Sequence, residues 1–236
     1  MKVHILVNHF NGESEEVATL VLKTIRVGFP TFEIVVWNNS SLTLHNQECR
    51  HSQFQTHYDW INMLLKTSQS PFVICDTDVI FYESMELDFM ENANETMFGR
   101  LIPTFIDHIS QAVSLSRLHP SLLLLNPVAI EKLVAIEREK SWSSSISLLL
   151  TEAFYFNSGE HRVFSDCMAS LSSLCKYKKP FTHHQLNKYF HLFCGTYAVK
   201  HSDKLNIGLK DVHLAVCNNP DLGRGAWREQ EIYFNL

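Results

Sequence analysis

The chain has 236 residues, of which 45% are hydrophobic and 19% are charged, and its formal net charge is −5. These values are typical of a soluble globular protein with one large domain or two small ones. The negative charge and the lack of a long run of Lys or Arg argue against a broad nucleic-acid-binding surface.

The first third of the chain predicts a β-α-β unit. Val3–Val7 is a continuous apolar run that indicates a buried strand, and Ser14, followed by two glutamates, is a good helix start. Gly28 and Pro30 end that helix, and Phe32–Trp37 is a second apolar strand. Such a unit is the building block of a parallel sheet covered by helices, so we expect an α/β fold.

The next segment combines a helix, a strand and two carboxylates. His57–Thr67 has helical apolar spacing, Phe72–Cys75 is a short apolar run, and Asp76 and Asp78 follow at once, before the apolar Val79–Phe81. Buried carboxylates are costly unless they are paired or bind a metal, so this pattern indicates a site for Mg²⁺ or Mn²⁺ carrying phosphate oxygens. The alternative is a turn in which both carboxylates only cap backbone amides.

Three predicted strands therefore end in polar loops, at Asn8–Gly12, Asn38–Ser41 and Asp76–Asp78. In open α/β sheets, ligands bind outside the carboxyl ends of the strands. We expect the three loops to converge on one site.

The remainder of the chain is less regular. Leu122–Leu125 predicts a further strand, Val128–Glu139 and Asp166–Lys176 predict helices, and Tyr189–Tyr197 is aromatic and apolar. Since no internal repeat or linker forces a division, residues 1–236 are expected to form a single domain.

The six cysteines form no C-x-x-C pair, and several have apolar neighbours, which is typical of buried thiols in a reducing compartment. The first apolar run is too short for a signal peptide, and no stretch is long enough to cross a bilayer. We therefore expect a cytoplasmic protein.

The motifs together resemble those of nucleotide-sugar-dependent glycosyltransferases of the GT-A fold, particularly the inverting, family-2-like enzymes. Val3–Asn11 is similar to the opening strand and nucleotide-facing turn, Val35–Ser41 to the second strand, and His57–Phe81 to the segment that ends in the D-x-D motif. The resemblance implies an open, mixed, mostly parallel sheet flanked by helices, with a Rossmann-like N-terminal half. It also implies a nucleotide-sugar and metal half at residues 1–100 and an acceptor half at 101–236.

The resemblance assigns roles to particular side chains. Asp76 and Asp78 correspond to the acids that bind the metal ion and the donor diphosphate. The remaining nucleotide-binding candidates are amides in the first two polar loops: Asn8, Asn11, Asn38 and Asn39. Asn38 stands where the family usually has an aspartate that binds the base, which is a departure from the pattern.

Two candidates come from the C-terminal half. Asp166, after Phe164-Ser165, has the place of the acceptor-side acid and is a candidate general base, with a helix N-cap as the alternative. His191 is a candidate third metal ligand, with a packed core histidine as the alternative. His119, which precedes Pro120, is expected to be structural.

The predicted activity is metal-dependent transfer of a hexose or pentose from a nucleoside-diphosphate sugar, expected to be a UDP-sugar, to an acceptor hydroxyl. The cofactor would be Mn²⁺ or Mg²⁺, and the acceptor a glycan, a protein, a lipid-linked sugar or a modified DNA base. One alternative is a nucleotidyltransferase, although Asn8–Gly12 lacks the Lys or Arg of a basic phosphate loop. The other is a non-catalytic module that binds nucleotides or sugars.

Overall fold

The computed structural model of the chain describes residues 1–8, 22, 24–40, 49–51, 54, 57–77, 79–102, 105–106, 113–114, 117–130, 178–191 and 219. The predicted helix starting at Ser14 is described only in its last part, where residues 24–28 are helical, and the predicted helix Asp166–Lys176 lies outside the described residues.

The strands are β1 (Lys2–Asn8), β2 (Glu33–Asn39), β3 (Cys49–His51), β4 (Phe72–Cys75), β5 (Val79–Phe81), β6 (Met97–Ile102), β7 (Phe105–Ile106), β8 (Val113–Ser114), β9 (Arg117–Leu125), β10 (Lys178–Pro180) and β11 (Tyr189–His191). The helices are α1 (His57–Thr67), α2 (Glu86–Glu91) and α3 (His183–Leu186). Residues 127–130 are also helical, at the start of the predicted helix Val128–Glu139.

The main sheet has seven strands in the order β10-β6-β9-β4-β1-β2-β3. Strand β9 is antiparallel to both of its neighbours, and every other adjacent pair is parallel. Two small sheets join β11 to β5 and β7 to β8. The α/β prediction of a mixed, mostly parallel sheet is confirmed.

The central strands are buried on both faces, as their continuous apolar sequences require. One core cluster packs against the face toward α2 and the helical residues 24–28; it includes Ile5, Val73, Leu122, Ile25 and Phe89. A second cluster lies on the opposite face and takes its helical members from α1 and from residues 127–130; it includes Leu6, Ile74, Leu123, Trp60 and Leu64. Helices therefore cover both faces of the sheet.

The strand order contains a topological switch beside β1. The chain runs outward from β1 to β2 and β3, and then returns to place β4 on the other side of β1. At such a switch the connections leave the sheet in opposite directions, which opens a crevice at the carboxyl ends of the two strands. The crevice is expected between the end of β1 and the end of β4.

A buried histidine joins the first two strands. His4 is 5% exposed, and its Nδ1 accepts a hydrogen bond of 3.1 Å from Trp37 Nε1. Its ring also meets Phe72 edge to face, with centroids 5.4 Å apart. Burial, reinforced by the positive charges of Lys2 and Arg50, lowers the pKa of His4 to about 4. The imidazole is therefore neutral in the folded protein at neutral pH.

His4 should make the fold sensitive to acid. Because its pKa is lower in the folded chain than the ordinary value of 6.5, its neutral form stabilises the fold above pH 6.5. This contribution, up to about 3 kcal/mol, is lost as the pH falls from 6.5 toward about 4. We expect His4→Asn, whose amide oxygen can still accept from Trp37, to lose less stability over that interval than the wild type. Urea denaturation at pH 6.5 and at about pH 4 measures the loss of stability in each protein. Equal losses in the wild type and in His4→Asn would contradict the assignment of this acid sensitivity to His4.

Candidate functional site

One of the predicted acids lies at the strand switch, at the end of β4. Asp76 directly follows β4 and is partly exposed, whereas the four residues of β4 are buried. The backbone N–H of Asp76 donates a 2.8 Å hydrogen bond to the carbonyl oxygen of Ser121. Since β9 is antiparallel to β4, the first residues of β9 reach the same edge of the sheet. Asp76 is thus held between the end of β4 and the start of β9.

The small sheet of β5 and β11 pairs His191 with a residue that directly follows the predicted acid pair in the chain. In the antiparallel register His191 lies opposite Val79, which immediately follows Asp78 in the chain. His191 is 5% exposed. The predicted third metal ligand is therefore a strand partner of Val79, although more than a hundred residues separate the two in sequence.

A second histidine, which the sequence placed outside the site, stands beside His191. The ring centroids of His119 and His191 are 4.7 Å apart, with an angle of 57° between the ring planes. Nδ1 of His119 lies 2.8 Å from Ser121 Oγ and accepts a 3.1 Å hydrogen bond from the Ser121 backbone N–H. No local signal in the sequence marks His119, because its position depends on the pairing of β9 with β4.

An irregularity in β9 accompanies this arrangement. Leu123 pairs with Gly99 of β6, but the next pair joins Leu118 to Leu101, so β9 uses more residues than β6 over the same interval. His119 and Ser121 belong to this irregular part of β9. Bulges of this kind re-aim side chains and are frequent beside active sites.

The two amides at the end of β2 form hydrogen bonds with nearby residues. Asn38 is 2% exposed, and its Oδ1 accepts hydrogen bonds from the Ser40 backbone N–H at 3.1 Å and the Ser40 hydroxyl at 2.6 Å. Asn39 donates to the carbonyl oxygen of Phe54 and accepts from its N–H, both at 2.8 Å. These contacts fix the end of β2, and the predicted contact of both amides with nucleotide stays a prediction.

Of the other predicted site residues, only Asn8 lies in the described part of the chain. Asn8 ends β1 and pairs with Asn39 at the end of β2. Asn11, Asp78 and Asp166 lie outside the described residues. The predicted ligand, nucleotide-contacting and general-base roles of these side chains remain predictions.

The described residues alone do not make a complete metal site. Within the described ranges, no group of three or more His, Cys, Asp and Glu side chains is arranged to hold a metal ion. The donor types around the crevice nevertheless suit Mn²⁺, which accepts both carboxylate oxygen and imidazole nitrogen. A site of that kind would draw on Asp76 and His191, with Asp78 and phosphate oxygens as further donors.

A buried ion pair holds the strand that carries His191. Lys188 precedes β11, and its Nζ lies 2.7 Å from Asp88 Oδ2 on α2, with side-chain exposures of 13% and 10%. Gln185 Nε2 donates to the other oxygen of Asp88 at 2.9 Å. The carbonyl oxygen of Lys188 accepts from the N–H groups of Tyr82 and Glu83, just after β5. Lys188 thus links α2, β5 and β11.

The comparisons with known proteins give distant likenesses of structure. No protein-family model matches the chain, and no curated protein shows significant sequence similarity to it. Among solved structures, the chain is similar to the glycosyltransferase GlyE of Streptococcus pneumoniae TIGR4, with 10% identity, a TM-score of 0.42 and coverage of 89% of this chain and 52% of GlyE. It therefore spans about half the length of GlyE.

Two further solved structures are similar to this chain, and they differ in how much of their own length the chain covers. The bifunctional glycosyltransferase WbbM has 9% identity and a TM-score of 0.48, over 76% of this chain and 38% of WbbM. The 2-C-methyl-D-erythritol 4-phosphate cytidylyltransferase of Thermus thermophilus has 14% identity and a TM-score of 0.39, over 75% of this chain and 100% of the enzyme. With identities of 14% or less, the activity of this chain has to be argued from its own residues.

Among the described residues, no helix has both the length and the apolar character that crossing a membrane requires.

The Lys188–Asp88 pair gives a test of how β11 is held. Lys188→Met should destabilise the protein by about 3–5 kcal/mol, because it leaves a buried carboxylate without its counter-charge. Adding Asp88→Asn to that variant should recover part of the loss, since the amide oxygen can still accept from Gln185. Urea denaturation measures the free energy of unfolding of the single and the double variant.

The matched control is Lys179→Met. Lys179 lies 3.6 Å from Glu95, and the two side chains are 52% and 35% exposed. An exposed pair contributes only about 0.2–1 kcal/mol. Equal losses in Lys179→Met and Lys188→Met would contradict the structural role of the buried pair.

Proposed function

We propose that this chain is a metal-dependent glycosyltransferase that transfers a sugar from a nucleoside-diphosphate sugar to an acceptor hydroxyl. The observation that carries the proposal is the position of Asp76 at the strand switch, with His191 paired beside the same acidic segment. A crevice at such a switch is where open α/β sheets bind nucleotides. Carboxylate and imidazole donors in that crevice suit a metal-bound diphosphate.

Each residue has a defined part in this proposal. When bound, the metal ion would act as a Lewis acid that neutralises the diphosphate leaving group. Asp76 and Asp78 would hold the ion, and His191 would complete the protein ligands. Asn38 and Asn39, at the end of β2, would face the nucleotide, for which uridine is the base that we propose.

The transfer also needs a proton acceptor. The acceptor oxygen forms a bond to the anomeric carbon while the bond from that carbon to the diphosphate oxygen breaks, and the hydroxyl proton passes to a carboxylate. We assign that role to Asp166, whose order in the chain matches the acceptor-side acid. A dry crevice protects the donor from hydrolysis, and the buried aromatic strand β11 contributes to it.

The proposal predicts that nucleotide binding depends on a divalent ion. UDP at about a hundred times its dissociation constant should add roughly 2.7 kcal/mol of stability in the presence of Mn²⁺. EDTA should remove most of the effect. Asp76→Asn should lose the Mn²⁺-dependent part, whereas Glu91→Gln, an exposed acid on α2, should retain it. Thermal unfolding measures these differences, and equal stabilisation by UDP in EDTA and in Mn²⁺ would contradict metal dependence.

The products distinguish the proposed activity from the two alternatives. A glycosyltransferase should release UDP from a UDP-sugar, either on transfer or by slow hydrolysis without acceptor. Release of pyrophosphate from a nucleoside triphosphate and a sugar phosphate would instead identify a nucleotidyltransferase. Binding of UDP-sugar with no turnover of either substrate would identify a non-catalytic module.

A further inference from the structure

We draw no further inference here: the strongest candidate, the exposed apolar pair Leu87 and Met90 on α2, carries nothing because no contact among the described residues shows what covers it.

Discussion

The arrangement of the crevice depends on the position of β4 in the middle of the sheet. Phe72, Val73, Ile74 and Cys75 are all between 0% and 2% exposed, with β1 on one side and β9 on the other. A slip of this strand by one residue would draw the adjacent Asp76 into the buried sheet, where an unpaired carboxylate is costly. The residue after it, Asp76, is consequently held at the boundary between the dry sheet and the crevice.

Polar side chains near the strand switch make hydrogen bonds that fix the local backbone. Asn38 closes a turn with Ser40, Asn39 ties its loop to the backbone of Phe54, and His119 is braced by Ser121. Each contact uses side-chain groups that would otherwise be solvated and mobile. In general, groups held in place before binding reduce the ordering that a ligand has to impose.

The chain's local pattern predicted the first half of the fold closely. The apolar runs Val3–Val7 and Phe72–Cys75 lie in β1 and β4, and the predicted helix His57–Thr67 has the observed bounds. These elements are visible in the sequence because a doubly buried strand requires an uninterrupted apolar run, and an amphipathic helix requires apolar residues at helical spacing. The position of the acids directly after β4 follows from the same run.

The sequence by itself therefore determined the α/β class, the leading strands and the acidic strand end, since each of these depends on neighbours within a few residues. Only the tertiary structure decided the antiparallel insertion of β9, which extends the predicted strand from Leu122–Leu125 to Arg117–Leu125 and places His119 beside His191. The same holds for the Lys188–Asp88 pair, whose members are 100 residues apart, and for His191 beside Val79. These contacts depend on how distant strands pair, and residue periodicity within one segment carries no information about its distant partners.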